Sequence, residues 1–348
     1  MNLKEIRDKA REQTKGYCRV CPVCDGRICS GEVPGMGGTL TGSSFRNNLS
    51  ALAAVKLNAR LVHRVYYPKL ETELLGFNLK LPLMVGPVGG VAFNLGGPIS
   101  ELQYQEAVAL GAADAGIIAG TPDAVPIEVM RAGLEQAAKL GGGRILPFVK
   151  PWEPDKIAEK FDMCVEAGCR VVACDLDSIG LVTLRLMGSP AYPKDQSELT
   201  AIIKTAHDKG LAIIIKGVMT PDDAIKCVAA GADGILVSNH GGRVLDSVPG
   251  TAEVLPAVVK AIKGQAAIIV DGGIRTGVDI LKMLALGAEA VMIGRPYSIV
   301  AVGGGRQGVA LYTETLRAQL EQAMIMTGCP DVKEAFALKE ELIFSAAS

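Results

Sequence analysis

The stretch Ile268–Pro296, IIVDGGIRTGVDILKMLALGAEAVMIGRP, holds the plan of the chain in miniature. It opens on an apolar, β-rich run, turns at Gly272 and Gly273, continues as a helical pattern, stops at Gly287 and reopens as a second apolar run. Glycine ends a helix readily because it enters the left-handed conformation without steric cost. The same beat recurs from Leu81 onward, in LPLMVGPV, DAGIIAG, RILPFV, RVVACD, LAIIIKG, GILVSN, AAIIVDGG and AVMIGR. Between several of these runs lie helical patterns that close on glycine, as in AVALGAADAGII, CVEAGCRVVAC and CVAAGADGILV. Runs that are apolar throughout, rather than alternating, indicate strands buried on both faces of a helix-covered parallel sheet. Eight strand-then-helix units predict an α/β fold of the (β/α)₈ TIM-barrel type; a doubly wound open sheet is the alternative, and the count favours the barrel.

The rest of the composition narrows the function classes. The chain has 348 residues, 49% hydrophobic and 21% charged, so it can bury a full core and is not of disordered type. Its net charge is −1 and no basic stripe interleaves with aromatics, which leaves nucleic-acid and membrane-surface binding without an electrostatic footing. The opening MNLKEIRDKAREQTKGYC lacks an apolar core of the signal-peptide kind, and no long uncharged apolar run follows. The expectation is a cytoplasmic protein whose partner is a small molecule.

Barrel active sites lie where strands end and βα loops begin. The strand ends here carry Pro87, Val88 and Gly89; Phe148 and Lys150; Asp175; Lys216; Ser238, Asn239, His240 and Arg243; Asp271, Gly272, Gly273 and Arg275; Gly294 and Arg295, several of them polar or charged. Turn chemistry explains the glycines, Asp and Asn one at a time. It does not explain a histidine, two lysines and three arginines at one mouth. The loops after the last two strands are where barrels often bind phosphate; Gly272 and Gly273 admit close approach of backbone N–H groups, and Arg295 adds a forked cation.

Three blocks then become specific. SNHGGR, DGGIRTGVDILKMLALGA and IGRP, with LETELLGFNLKLPLMVGPVGG upstream, resemble the FMN-dependent α-hydroxy-acid oxidase/dehydrogenase family over roughly residues 45 to 330. The resemblance implies a barrel with FMN at its mouth, oxidation of a lactate- or glycolate-like or larger 2-hydroxy acid to the 2-oxo acid, and a homo-oligomer of tetramer size or higher. It assigns His240 as the base that takes the hydroxyl proton as hydride or its carbanion equivalent reaches flavin N5, a task suited to an imidazole. Asp175 supports the imidazolium, Arg243 clamps the substrate carboxylate, and Lys216 stands at flavin N1/O2. Pro87, Val88 and Gly89 underlie the ring, Ser238 touches it, and Asp271, Gly272, Gly273, Arg275, Gly294 and Arg295 belong to the cofactor cradle. An FMN-dependent isomerase of the type 2 isopentenyl diphosphate isomerase kind, or a flavin/iron–sulfur electron-transfer protein or sensor, is the alternative.

The chain departs from that family in four places. Phe148 stands where the family has a tyrosine, LDSIGLVTL lacks a second carboxylate-binding arginine, and an N-terminal tyrosine has only Tyr17 as a distant counterpart. Two donors to a substrate carboxylate are thereby lost, which argues against ordinary glycolate or lactate specificity. The fourth departure is CRVCPVCDGRIC, with Cys18, Cys21, Cys24 and Cys29 in C-x2-C-x2-C-x4-C spacing. Such density suggests metal or redox chemistry, with three readings open: an iron–sulfur cluster, zinc, or free redox-active thiols. A cluster would carry electrons to an acceptor protein. Cys164, Cys169, Cys174, Cys227 and Cys329 are scattered in apolar surroundings and read as small buried hydrophobes. The expected organisation is a helical, Cys-rich extension and lid over residues 1–60, including the glycine-rich GEVPGMGGTLTGSS, followed by an FMN-binding barrel over 61–348.

Overall fold

The computed structural model describes residues 1–262 and 264–345. All eight apolar runs become strands of one closed parallel barrel: β3 (Leu83–Val85), β4 (Ile118–Pro122), β5 (Ile145–Val149), β6 (Val171–Asp175), β7 (Ala212–Val218), β8 (Gly234–Val237), β9 (Ala267–Val270) and β10 (Ala290–Ile293). They follow one another in chain order, and β10 closes the ring by setting Ile293 opposite Val85. The open-sheet alternative is excluded.

A short hairpin, β1 (Thr72–Leu74) and β2 (Phe77–Leu79), precedes the barrel. Its Leu74, Phe77 and Leu79 join the interior cluster formed by Met84, Ile118, Leu146, Ala173, Ile214, Leu236, Ile269 and Met292. Leu75 approaches Gly234 at the start of β8, so the hairpin stoppers the N-terminal end. Successive side chains on a strand alternate between faces. The inward position two residues beyond each interior residue therefore emerges at the opposite end: Phe148 and then Lys150 beyond Leu146, Asp175 beyond Ala173, Lys216 beyond Ile214, Ser238 beyond Leu236, Asp271 beyond Ile269, and Gly294 beyond Met292. One alternation both fills the core and places polar groups at the mouth.

Helix α1 (Leu3–Gln13) begins in an Asn2 capping box and buries Ile6 and Ala10 completely. It lies against the long helix Arg295–Thr327, where a methyl at Gly303 would run into the Ile6 carbonyl. Helix α2 (Ser43–Ala54) reaches the mouth through buried Asn48. Between α1 and α2, residues 14–42 contain no helix or strand. The five scattered cysteines are buried and unpaired. Among the described residues, no helix is long and apolar enough to cross a membrane.

Candidate active site

Asp175 ends β6 and Lys216 stands near the end of β7, both nearly inaccessible. The Lys216 ammonium donates to Asp175 Oδ1 at 2.7 Å and to Asp177 Oδ1 at 3.0 Å. Burial works against the ammonium, but Asp175 and Asp177 outweigh it and hold its proton more tightly than usual. Burial likewise opposes charge on Asp175, yet Lys216, His240 and Lys150 hold its carboxyl well below the ordinary range. Lys150 Nζ lies 3.5 Å from Asp175 Oδ2.

His240 Nδ1 lies 3.1 Å from Asp177 Oδ1, 3.7 Å from Asp175 Oδ1 and 3.1 Å from Lys216 Nζ. The nearer carboxylate is thus Asp177, on the 3₁₀ turn after β6, rather than Asp175. The Lys216 ammonium can only donate and already donates to both carboxylates, which can only accept; contact of Nδ1 with those carboxylates favours the tautomer with hydrogen on Nδ1 and a free lone pair on Nε2. Asp175, Asp177 and His240 form the one metal-like group of three among the described residues. The lysine ammonium already sits within hydrogen-bond range of each of the three, which supplies the positive charge a metal would bring.

The loop after β8 holds this histidine in an unusual backbone conformation. His240, Gly241 and Gly242 all have left-handed φ, at 57°, 62° and 76°. Ser238 faces inward below them, accepting from His240 N at 3.0 Å and donating to Asp271 Oδ2 at 2.9 Å. It is fully buried beside the cavity rather than on its wall, so it braces the loop. Asn239 and Asn48 exchange amide hydrogen bonds of 2.8 and 3.0 Å, tying the loop to α2.

Arginines supply the opposite wall. Arg243 donates to Gly35 O and to Asn94 Oδ1. Arg295 donates to Met36 O at 2.7 Å and Gly37 O at 2.9 Å, and stacks 4.0 Å above the Phe45 ring. Burial depresses both guanidiniums, with Arg295 lowering Arg243 further and Arg275 lowering Arg295 further. All these hydrogen-bond partners are neutral, so the two partly buried guanidiniums suit an anion as a further partner. Two polar atoms are buried without any partner here, Asp271 Oδ1 and Arg275 Nε. Burial pushes the Asp271 carboxyl up to about 6, although Lys216 pulls it down. An acceptor and a donor left open beside Gly272, Gly273 and Gly294 fit a ligand carrying both hydroxyls and a phosphate, as the ribityl phosphate of FMN does.

A single cavity joins these groups. Pro87, Val88 and Gly89 line it, as do Lys216, His240, Arg243, Asp271, Gly272, Gly273, Arg275, Gly294 and Arg295, with Asp175 and Lys150 beside them. Phe148, Met36, Leu181 and Leu184 form its apolar part. Cys18, Cys21, Cys24 and Cys29 lie outside it, half-buried and unpaired. No three of the four thiols come within 4.8 Å of one another. Burial pushes the Cys18 and Cys29 thiols up, the reverse of an activated thiolate.

A closed barrel with this mouth defines a flavin-type (β/α)₈ oxidoreductase scaffold. The chain belongs to the FMN-dependent dehydrogenase family, whose model matches residues 36–185 and 189–342. It is 31% identical to an L-lactate oxidase of Lacticaseibacillus rhamnosus (strain LMS2-1), over 88% of this chain and 89% of that one. It is 29% identical to a peroxisomal (S)-2-hydroxyacid oxidase of Arabidopsis thaliana, over 86% and 88%. The crystal structure of mandelate oxidase superposes with a TM-score of 0.77 at 27% identity, covering 96% of each chain.

Proposed function

We propose that the chain oxidises a 2-hydroxy acid to the 2-oxo acid with FMN held in the mouth of the barrel. The observation that carries this reading is the His240 ring, whose Nδ1 is engaged by Asp177 and Asp175 while Arg243 shares the same cavity. Arg243 binds the substrate carboxylate as the anion its neutral partners leave it lacking. His240 Nε2 takes the hydroxyl proton, and Asp177 with Asp175 stabilises the imidazolium that results. FMN, when bound, supplies the two-electron acceptor for the α C–H bond. Gly272, Gly273, Arg275, Gly294 and Arg295 would hold its phosphate, Asp271 a ribityl hydroxyl, Pro87, Val88 and Gly89 the underside of the ring, and Lys216 the positive charge at its N1/O2 edge. Ser238 acts through His240 and Asp271.

Phe148, Met36, Leu181 and Leu184 favour a substrate bulkier and more apolar than glycolate. The isomerase alternative is disfavoured, since the relatives are named as oxidases and the geometry supplies a base beside a carboxylate clamp. Residues 1–60 serve as the extension that covers the mouth, and 61–348 as the barrel proper. The proposal extends to a homo-oligomer, supported by the exposed apolar run of Leu61, Val62, Tyr66 and Tyr67. It extends also to a cytoplasmic setting, an electron-acceptor protein, and an iron–sulfur cluster or zinc on the four N-terminal thiols.

The test is anaerobic mixing of the flavin-loaded protein with a panel of 2-hydroxy acids. Bleaching of the visible flavin band by at least one, slowed about a hundredfold or more in His240→Ala, is expected. No bleaching with any member rejects the reaction.

A further inference from the structure

The segment before the family-matched region carries chemistry that the barrel does not use. Residues 14–42 form no helix or strand, and their apolar side chains are mostly wasted on solvent: Tyr17, Val23, Ile28 and Leu40 are all more than half exposed. A structureless run of this length inside a compact fold needs something besides a core to hold it. Part of the answer is backbone capture at each cysteine in turn. The Cys18 carbonyl accepts from Thr14 Oγ1 at 2.7 Å, that of Cys21 from Arg7, that of Cys24 from Arg275 at 3.2 Å, and that of Cys29 from Glu32 N at 3.2 Å. Four carbonyls are fixed, and four thiols are left without disulfide partners.

The four thiols do not form a ready-made tetrahedral site for a single ion. One zinc ion with ligands at about 2.3 Å draws its four sulfurs to within roughly 4 Å of one another. No three of these thiols lie within 4.8 Å. A cubane spreads its thiolates wider, because each binds a different iron. The C-x2-C-x2-C opening is also the ferredoxin-type run, with Cys29 as a fourth ligand from the same segment. Cys24 Sγ lies 3.8 Å from Arg275 Nη2, and hydrogen bonds to sulfur are a known control on cluster potential. Arg275 belongs to the cradle proposed for the flavin phosphate, so the thiols adjoin the cofactor site.

We propose that Cys18, Cys21, Cys24 and Cys29 bind a [4Fe–4S] cluster that conducts electrons from the flavin site to a one-electron acceptor protein. Oxidation of each 2-hydroxy acid breaks one C–H and one O–H bond and releases two electrons and two protons. The electrons reduce two equivalents of the acceptor; the protons leave to solvent, one of them through His240. The electron source rests on the proposed flavin reaction, whereas the metal site does not.

The experiment uses the full chain purified without oxygen. Iron, acid-labile sulfide, zinc and extracted FMN are each measured per chain. About four irons and four sulfides are expected, together with a low-temperature electron paramagnetic resonance signal after dithionite. Zinc alone, iron without sulfide, or no metal overturns the cluster. A loaded cluster in a chain that refuses FMN leaves the metal site standing and rejects the flavin reading. Adding a 2-hydroxy acid that bleaches the flavin should produce the reduced-cluster signal, and a cluster that stays oxidised overturns the conduction. Replacing Cys21 and Cys24 by Ser should abolish the iron while the wild-type analysis decides the matter if that variant does not fold.

Discussion

Asp177 is the residue on which the site and the sequence pattern part company. Asp175 and Lys216 are legible because they stand at the ends of apolar strands, where alternation tells which way a side chain points, and His240 and Arg243 through the SNHGGR block that resembles the family. Asp177 sits two residues past β6 on a 3₁₀ turn, where period two no longer applies, so only coordinates bring it to 3.1 Å from the imidazole. A charge-assisted hydrogen bond contributes about 1.5–3 kcal/mol, which corresponds to roughly ten- to a hundredfold in rate. Asp177→Asn should therefore slow flavin reduction by that factor. Asp175 also faces this ring at 3.7 Å, and stopped-flow rates of Asp175→Asn give the contrast. A larger loss of rate in Asp175→Asn than in Asp177→Asn would reverse the assignment. Asp271 offers a stability test. Its folded carboxyl titrates at about 6 against 3.8 for the ordinary group, so folding favours the protonated form. The associated stability is full below about pH 4 and is lost as pH rises through 6, by about 3 kcal/mol for two pKa units. Unfolding free energies of flavin-free wild type and Asp271→Asn, compared across that window, should diverge in the variant's favour; a constant difference removes the point.

At the scale of elements, the eight barrel strands could be read because burial on both faces makes them continuous apolar runs. The hairpin was not separated from the first of them, since strands of three residues leave too little pattern, and its role as a stopper depends on Leu74, Phe77 and Leu79 meeting side chains far along the chain. The docking of α1 was equally hidden, because the glycines that receive it lie some three hundred residues away on the long helix. That joint is testable. Ile6 is fully buried in it, and Ile6→Ala should cost about 2–5 kcal/mol. Gly303→Ala should loosen the same contact by a clash instead of a void. In both variants, limited proteolysis should cut residues 14–42 sooner than in wild type, because Arg7 and Arg11 on α1 hold the Cys21 and Val20 carbonyls. Unchanged cleavage would mean that α1 does not anchor the segment.

Across the whole molecule, closure of the barrel followed from counting units, while the contacts of the glycine-rich segment expected as a lid did not. Glycine-rich sequence announces a loop without saying what the loop leans on. Here it leans on Arg243 and Arg295 through the Gly35, Met36 and Gly37 carbonyls. Partly buried cations whose hydrogen-bond partners are neutral should make the fold sensitive to the anion it binds. FMN at a hundredfold over its dissociation constant should add about 2.7 kcal/mol to stability by mass action, and riboflavin, which lacks the phosphate, should add much less. Thermal unfolding with each compound measures this directly. Arg295→Ala should erase most of the difference, and equal stabilisation by the two compounds would place the phosphate elsewhere.

The left-handed torsion at His240 has an evolutionary consequence. For a side chain with a Cβ, that conformation is unfavourable by about 1 kcal/mol or more, and glycine in its place would be more comfortable. A lineage released from selection for turnover could relax this loop by a single substitution and keep its barrel intact. The imidazole thus stands on a backbone it strains, and the loop's hydrogen bonds through Ser238 and Asn239 offset that cost.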